Sequence, residues 1–162
     1  RPDEEIGHQT NARSDTLDIG PSDSHHGFMS GIVIPLFSRR SFSHTSTSTI
    51  ETILVKAVDV TQFTSGTLLL RAHSYSITGS ATFTVQLKTT APSIEDPSKD
   101  FVINSSLVAS ATLSSTTAAA PTLIKGDLSS NFGSMLQVSV LITIPSVSTF
   151  TGEVSAELVM KD

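Results

Sequence analysis

The sequence contains no cysteine and no tryptophan, and its only tyrosine is Tyr75. Without cysteine the chain cannot form a disulfide framework, a thiolate metal site or a cysteine nucleophile. Carbohydrate-binding β-domains commonly present Trp or Tyr side chains, which offer a large amphipathic surface for stacking. The near absence of both residues argues against a sugar-binding platform.

Charged residues are also scarce, at 15% of the chain against 38% hydrophobic residues, and the formal net charge is −5. Most of that charge lies in residues 1–27, where six acidic residues face only two basic ones, Arg1 and Arg13. The rest of the chain is nearly neutral. Because phosphate binding needs clustered Lys and Arg, we predict no nucleic-acid partner. The six acidic residues are Asp3, Glu4, Glu5, Asp15, Asp18 and Asp23.

Long hydrophobic runs are absent too. No apolar segment approaches the roughly 18–20 residues that span a bilayer, so we expect a soluble protein without a membrane segment. A length of 162 residues suits a single domain with one core.

Residues 1–30 are polar, rich in turn-forming residues and without apolar periodicity. Such a composition offers little apolar area to offset the loss of chain entropy on ordering. We therefore predict an extended acidic N-terminal arm that docks either on its own domain or on a neighbouring subunit.

Residues 31–162 are rich in Ser, Thr and β-branched side chains, which favours pleated strands over helices. Residues 80–88 alternate strictly, and residues 135–144 and 152–162 carry apolar side chains at every second position. A period of two predicts strands with one buried face. The expected inward residues are Ala81, Phe83, Val85, Leu87, Leu136, Val138, Val140, Ile142, Ile144, Val154, Ala156, Leu158 and Met160.

Other segments are less regular. Residues 31–37 form a short apolar strand whose Pro35 suits an edge position, and residues 38–49 are a loop or an exposed edge. Residues 50–60 are apolar on both faces, which is typical of a buried strand. The next predicted strand covers residues 67–77.

The later part of the chain adds a strand at residues 101–115, with Leu107, Ala109, Ala111 and Leu113 on one face. Residues 114–133 are compatible with a helical turn or a short strand. The total is seven or eight strands without crossover helices, which predicts antiparallel pairing. The fold class is therefore all-β, an antiparallel β-sandwich of jelly-roll or immunoglobulin-like type, over residues 31–162.

The stretch "APSIEDPSKDF", residues 91–101, concentrates three carboxylates, those of Glu95, Asp96 and Asp100. Loop carboxylates can bind Ca²⁺, but the spacing is not that of an EF-hand and no glycine supplies its turn. Asp96 precedes a proline, a dipeptide that favours turn initiation. We predict a connection between strands, with a calcium site as the alternative and catalysis as a further one.

One strand carries a row of polar side chains, Arg71, His73 and Tyr75, each two residues apart. Side chains with that spacing share a face of a strand. A row with cationic and aromatic members is a candidate interaction face for a sugar or a protein; an ordinary solvated face is the alternative.

No motif of enzyme chemistry occurs. The G-x-S-x-G elbow of serine hydrolases is missing, as are the P-loop and the G-x-G-x-x-G dinucleotide motif. The five histidines show no spacing that indicates a zinc site. We predict that the protein is not an enzyme and needs neither a cofactor nor a metal.

The polar arm through Ser30, the strand-rich body over residues 31–162 and the lack of cysteine resemble, in general character, the small β-sandwich structural proteins of virions. Head decoration and minor structural proteins of tailed phages are the most similar type. The resemblance implies a capsid or virion location and stabilisation of a capsid lattice by a homo-oligomer, commonly a trimer.

We therefore expect a structural subunit that self-associates through its arm and sheet surfaces. Ser and Thr side chains suit extensive subunit contacts, because burying them costs less than burying Lys or Glu. The alternatives are a carbohydrate- or ligand-binding β-sandwich module and a non-viral surface or extracellular assembly subunit.

Overall fold

The computed structural model describes residues 31–92 and 101–162, which form eight β-strands and, within these two ranges, no helix. The predicted arm over residues 1–30 lies outside the described residues. The strands are β1 (Ile32–His44), β2 (Ser48–Asp59), β3 (Ser65–Thr78), β4 (Thr82–Pro92), β5 (Phe101–Leu113), β6 (Thr122–Asp127), β7 (Met135–Ile144) and β8 (Thr149–Lys161).

The strands form two four-stranded antiparallel sheets, in the orders β1-β8-β3-β6 and β2-β7-β4-β5. The chain thus pairs its first strand with its last, β2 with β7, β3 with β6 and β4 with β5. An antiparallel ribbon of these four pairs, wound into two facing sheets, is a jelly roll. The all-β antiparallel sandwich is confirmed, and of the two predicted topologies the strand order is that of the jelly roll.

The core lies between the sheets and comes mainly from their central strands. All thirteen side chains predicted to point inward from β4 and the residue before it, from β7 and from β8 are buried. On β3 the buried side chains are Leu68, Leu70 and Ala72. Because successive side chains of a strand point to opposite faces, burial of one face determines which side chains lie on the outer face.

A row of aromatic rings crosses the core from the edge strand β1. The rings of Phe37 and Phe42 meet edge to face with centroids 6.1 Å apart, and Phe42 lies 5.1 Å from Phe83. Phe83 in turn stacks on Phe150 of the opposite sheet at 4.8 Å. These separations are typical of favourable aromatic pairs, so the row ties β1 to both layers of the sandwich.

The two lateral sides of the sandwich differ. On one side β6 packs against β5, and Gly126 lies so close to Ser110 that a Cβ atom there would overlap the Ser110 carbonyl group. On the other side β2 is exposed over residues 48–53, while Leu54, Val55 and Val58 pack against the core. The edge strands of the β5–β6 side therefore contact each other, and the first half of β2 is an exposed edge on the other side.

The prediction of a buried strand at residues 50–60 is wrong. The first six residues of β2 are all exposed, and the apolar residues that follow, through Val58, are half-buried. The physical reason is position: β2 is at the edge of its sheet, where its side chains have a neighbouring strand on one side only. The apolar pattern of β2 is typical of a buried strand, but the single chain leaves the first half of this strand exposed.

The prediction that Leu107 faces inward is also wrong, since Leu107 is 49% exposed. The register of β5 on β4 shifts between the pairs Leu87–Ala109 and Lys88–Leu107, which leaves Val108 as an extra residue. This β-bulge turns Leu107 to the outer face beside Lys88 and buries Val108 instead. Ala109, Ala111 and Leu113 are buried as predicted.

Two open predictions are settled by the strand bounds. β1 continues through residues 38–44 as an exposed edge strand, with Pro35 inside it, as an edge permits. Within residues 114–133 the only regular element is the short strand β6, and residues 114–117 form a single hydrogen-bonded turn in which the Thr117 amide donates to the Ser114 carbonyl at 3.1 Å.

We predict that Gly126→Ala destabilises the domain by about 1–3 kcal/mol, because the new methyl group meets the backbone of β5, which cannot move without disturbing its sheet. Urea unfolding measures the change in free energy. Gly31→Ala is the matched control, since the nearest atoms to its Cβ would be 3.6 and 3.9 Å away. Equal stability of the two variants would contradict the close approach of β6 to β5.

Candidate functional site

The predicted polar row begins with Arg71, which lies on the outer face of β3. Its Nη2 donates a hydrogen bond of 2.7 Å to Oε1 of Glu157 on the adjacent strand β8, and its Nε donates to the same oxygen at 3.2 Å. Half of the Arg71 side chain remains exposed. The guanidinium is therefore engaged within the sheet, in a surface ion pair of the kind that contributes little to stability.

His73 lies on the same outer face, and its Nε2 is 2.9 Å from Oγ of Ser155 on β8. A serine beside a histidine is one half of a nucleophilic arrangement, which also needs a group to orient the histidine and donors for an oxyanion. The described contacts of His73 and Ser155 supply neither. This pair is a cross-strand hydrogen bond on an open sheet.

Tyr75 does not share that face, so the prediction of a three-residue row is wrong. A β-bulge shifts the register between Ala72, opposite Val154, and Ser74, opposite Glu153. Tyr75 then lies opposite Gly152, on the face that holds the buried Val154, and its ring packs against the core. The bulge separates Tyr75 from Arg71 and His73.

The hydroxyl of Tyr75 has a structural contact instead. It donates toward two backbone carbonyl oxygens in the connection between β5 and β6, that of Thr117 at 2.9 Å and that of Ala118 at 2.7 Å. Tyr75 thus holds the β5–β6 connection against β3.

Arg71 and His73 border a shallow depression of about 250 Å³ at the β3–β6 edge of the sheet. Its other lining residues are Ala72, Pro121, Thr122 and Leu123. Small-molecule sites commonly have about 300–1,000 Å³ and enclose most of the ligand. The depression is small and lacks an aromatic platform, so it offers contact to a surface rather than enclosure of a ligand.

The outer face of the second sheet carries a polar cluster that the sequence did not reveal. Glu51 of β2 accepts a hydrogen bond of 2.5 Å from Nζ of Lys88 on β4 and one of 2.8 Å from Oγ of Ser139 on β7. The bonds from Lys88 and then Ser139 lower the pKa of the Glu51 carboxyl below its ordinary 4.5, against a smaller opposing effect of burial. The cluster links three neighbouring strands, and the Lys88 ammonium compensates the negative charge of the Glu51 carboxylate.

A third ion pair joins Arg39 of β1 to Glu153 of β8. With Glu157 and Ser155 bonded to β3, three outward side chains of β8 are engaged with neighbouring strands. The ion pairs on these sheet faces join strands of the same sheet and do not converge on a common point.

Within residues 31–92 and 101–162 no three His, Cys, Asp or Glu side chains come together as a metal-binding group. The acidic stretch with Glu95, Asp96 and Asp100 lies outside the described residues, so its connector and calcium interpretations stay predictions. In the same described ranges there is no helix of the length and apolarity needed to cross a membrane.

Comparison of the chain with models of protein families, with curated proteins and with solved structures finds no match.

Replacing Tyr75 by Phe should lower the free energy of unfolding by about 1 kcal/mol, because it removes the hydroxyl that donates to the two carbonyls and leaves the ring in place. Urea unfolding measures the loss. Ser76→Ala, at an exposed position next in the strand, should change stability much less. Full stability of Tyr75→Phe would contradict the anchoring role.

Lys88→Gln should raise the pKa of Glu51 toward 4.5, because it removes the largest cause of the lowered value. Carboxyl carbon chemical shifts followed through a pH titration measure the pKa. A carboxyl with a lowered folded pKa stabilises the fold above its unfolded pKa and loses that contribution as pH falls through the folded value.

The stability difference between wild type and Lys88→Gln should therefore shrink when the pH is lowered below 4.5. Lys125→Gln, on the short strand β6 of the other sheet, is the control and should leave the Glu51 titration unchanged. A Glu51 pKa insensitive to Lys88 would contradict the cluster.

Proposed function

We propose that this chain is a non-enzymatic structural subunit that self-associates and stabilises an assembly, in a virion as a capsid decoration or minor structural protein. Its arm and its sheet surfaces make the contacts, and its partners are further copies of the chain or the lattice of the assembly. The proposed location is the virion or another extracellular assembly.

The observation that carries the proposal is the exposed aliphatic surface of β1 and β2. These edge strands lie on the same side of the sandwich, and each exposes two large aliphatic side chains to between 43% and 56%. Exposed aliphatic residues are ordinary when scattered, and Leu107 and Leu123 are exposed on the edge strands β5 and β6. Among the described residues, however, β1 and β2 carry four of the seven exposed large hydrophobic side chains, which favours this side for self-association. The four residues are Ile32, Val33, Ile50 and Ile53.

The polar surface supports a structural role over a catalytic one. The ion pairs of Glu51, Glu153 and Glu157 run between strands of the same sheet. Catalysis needs titratable groups that converge on a reacting atom. These three carboxylates contact neighbouring strands and do not converge on a common point.

The jelly-roll order is compatible with the proposal and does not decide it. Viral capsid domains and lectins both use this architecture, and a fold by itself does not define a function. The resemblance of the sequence to small virion proteins is what favours the virion. A subunit of a non-viral surface assembly would present the same edge strands.

A carbohydrate- or ligand-binding module is the second candidate, favoured by the depression beside Arg71 and His73. Sugar sites rely on exposed aromatic rings, and Tyr75, the only tyrosine, packs toward the core. The depression therefore supports this candidate less than the exposed edge supports self-association.

If the chain is an assembly subunit, multi-angle light scattering of the full chain at micromolar concentration should give the mass of an oligomer. The physical reason is the gain from removing the exposed aliphatic surface of β1 and β2 from water. A monomer at all accessible concentrations, without a partner in its source particle, would contradict the proposal.

A further inference from the structure

We infer that β2 is an interface strand: two copies of the chain pair their β2 strands antiparallel about a two-fold axis at Ile50. The two β2-β7-β4-β5 sheets then form one continuous sheet across the dimer. This inference rests on the proposed self-association and names the surface and the partner, a second copy of this chain.

β2 is rich in apolar residues although its first half is exposed. Residues 50–58 of β2 include six apolar side chains, the pattern of a strand buried on both faces. In the single chain Ile50 is 43% and Ile53 is 47% exposed. Pairing with another strand covers the edge of β2 and places further side chains beside Ile50 and Ile53 on their faces of the sheet.

The first half of β2 pairs regularly with β7, without a β-bulge. Between Ser48, opposite Ile144, and Ile53, opposite Ser139, the register on β7 contains no shift. The bulges of β2 come after Ile53. Bulges, prolines and charges are the means by which proteins protect an edge from pairing, and residues 48–53 contain only one charge, that of Glu51.

The charge of Glu51 does not prevent a second copy from binding at β2. Its carboxylate is already compensated by Lys88 and hydrogen-bonded by Ser139 on the outer face. In an antiparallel pair about a two-fold axis, residues that lie opposite each other share a face. The two-fold axis must therefore pass beside a residue that lies opposite its own copy, and not between two successive residues.

Glu51 excludes one of these registers, and the apolar inner face of the sheet favours another. An axis at Glu51 would place the two carboxylates directly opposite each other, which is destabilising. An axis at Ile50 places each Glu51 opposite Thr49 of the second copy and sets the two Ile50 side chains together. Because Ile50 pairs with the buried Ile142, this contact lies on the inner face and extends the apolar layer of the core.

The occupant is a second copy rather than an unrelated strand because the segment is complementary to itself in this register. The β-branched residues Thr49, Ile50 and Thr52 have the preference for pleated surfaces that such pairing uses. The same residues on the other copy supply matching partners with no additional charge.

The test uses the absence of cysteine from the chain, which makes any introduced cysteine unique. Residues opposite each other in antiparallel strands have Cα atoms about 4.5–5.5 Å apart, within the range for a disulfide. Full-length Ile50→Cys under mild oxidation should therefore yield a covalent dimer on a non-reducing gel.

Two matched variants locate the contact. With the axis at Ile50, residue 53 and its copy are separated by about six residue positions, or about 20 Å, so Ile53→Cys should stay uncoupled. Val147→Cys, at a 99% exposed turn position, reports collisional coupling and should also stay monomeric. Coupling of Ile53→Cys in preference to Ile50→Cys would overturn the assigned pairing.

A charge variant gives an independent readout by light scattering. Ile50→Lys places two ammonium groups together at the axis, and should abolish the dimer contact at concentrations where wild type is associated, while Val147→Lys should not. Thermal melting checks that Ile50→Lys is folded; if it is not, the cysteine series alone decides.

The outcomes separate the two proposals. An oligomer in which neither Ile50→Cys nor Ile50→Lys has an effect would overturn the β2 pairing and leave the proposed function intact. If the thiol of the Ile50→Cys variant is protected from thiol reagents but forms no covalent dimer, another segment covers β2, and the pairing is likewise overturned. A strict monomer for every variant would contradict both.

Discussion

Burial of one apolar face on each central strand, chiefly β4, β7 and β8, is the interaction on which the rest of this structure depends. Side chains such as Phe83, Val140 and Leu158 are almost wholly removed from water between the sheets. Because a slip of one residue would turn a strand's apolar face outward, this burial fixes the register of the central pairs. The register in turn brings Glu51, Lys88 and Ser139 together on an outer face, and Arg71 beside Glu157 on the other.

The central strands are also the part of the fold that the sequence predicts well. The period of two in β4, β7 and β8 predicts which of their side chains point inward, and all of those side chains are buried. For the strand order, the sequence leaves two candidates, the jelly roll and the immunoglobulin-like sandwich, and does not decide between them. Alternation states which face of a strand is buried, but it carries no information about which strand lies beside it.

The errors have two physical sources. Bulges near His73 and at Val108 each insert one residue, which moves Tyr75 off the predicted interaction face and Leu107 out of the core. A bulge is a property of two paired strands, so one strand's sequence gives no sign of it. The other source is β2, whose apolar pattern indicates burial without indicating what buries it. The Glu51–Lys88 contact was missed for a related reason: its partners are 37 residues apart and meet only across β7.

The asymmetry of the sandwich connects these features. On the β5–β6 side Gly126 allows the edge strands to approach until backbone meets backbone, so that side gains its contacts within the chain. On the outer faces the ion pairs and the His73–Ser155 bond join strands of one sheet, and the charged groups are compensated there. The β1–β2 side exposes four large aliphatic side chains on its edge strands, against Leu107 and Leu123 on the β5–β6 side. Association at this side removes apolar surface from water without separating any of these ion pairs, whereas association through a charged face would have to desolvate them.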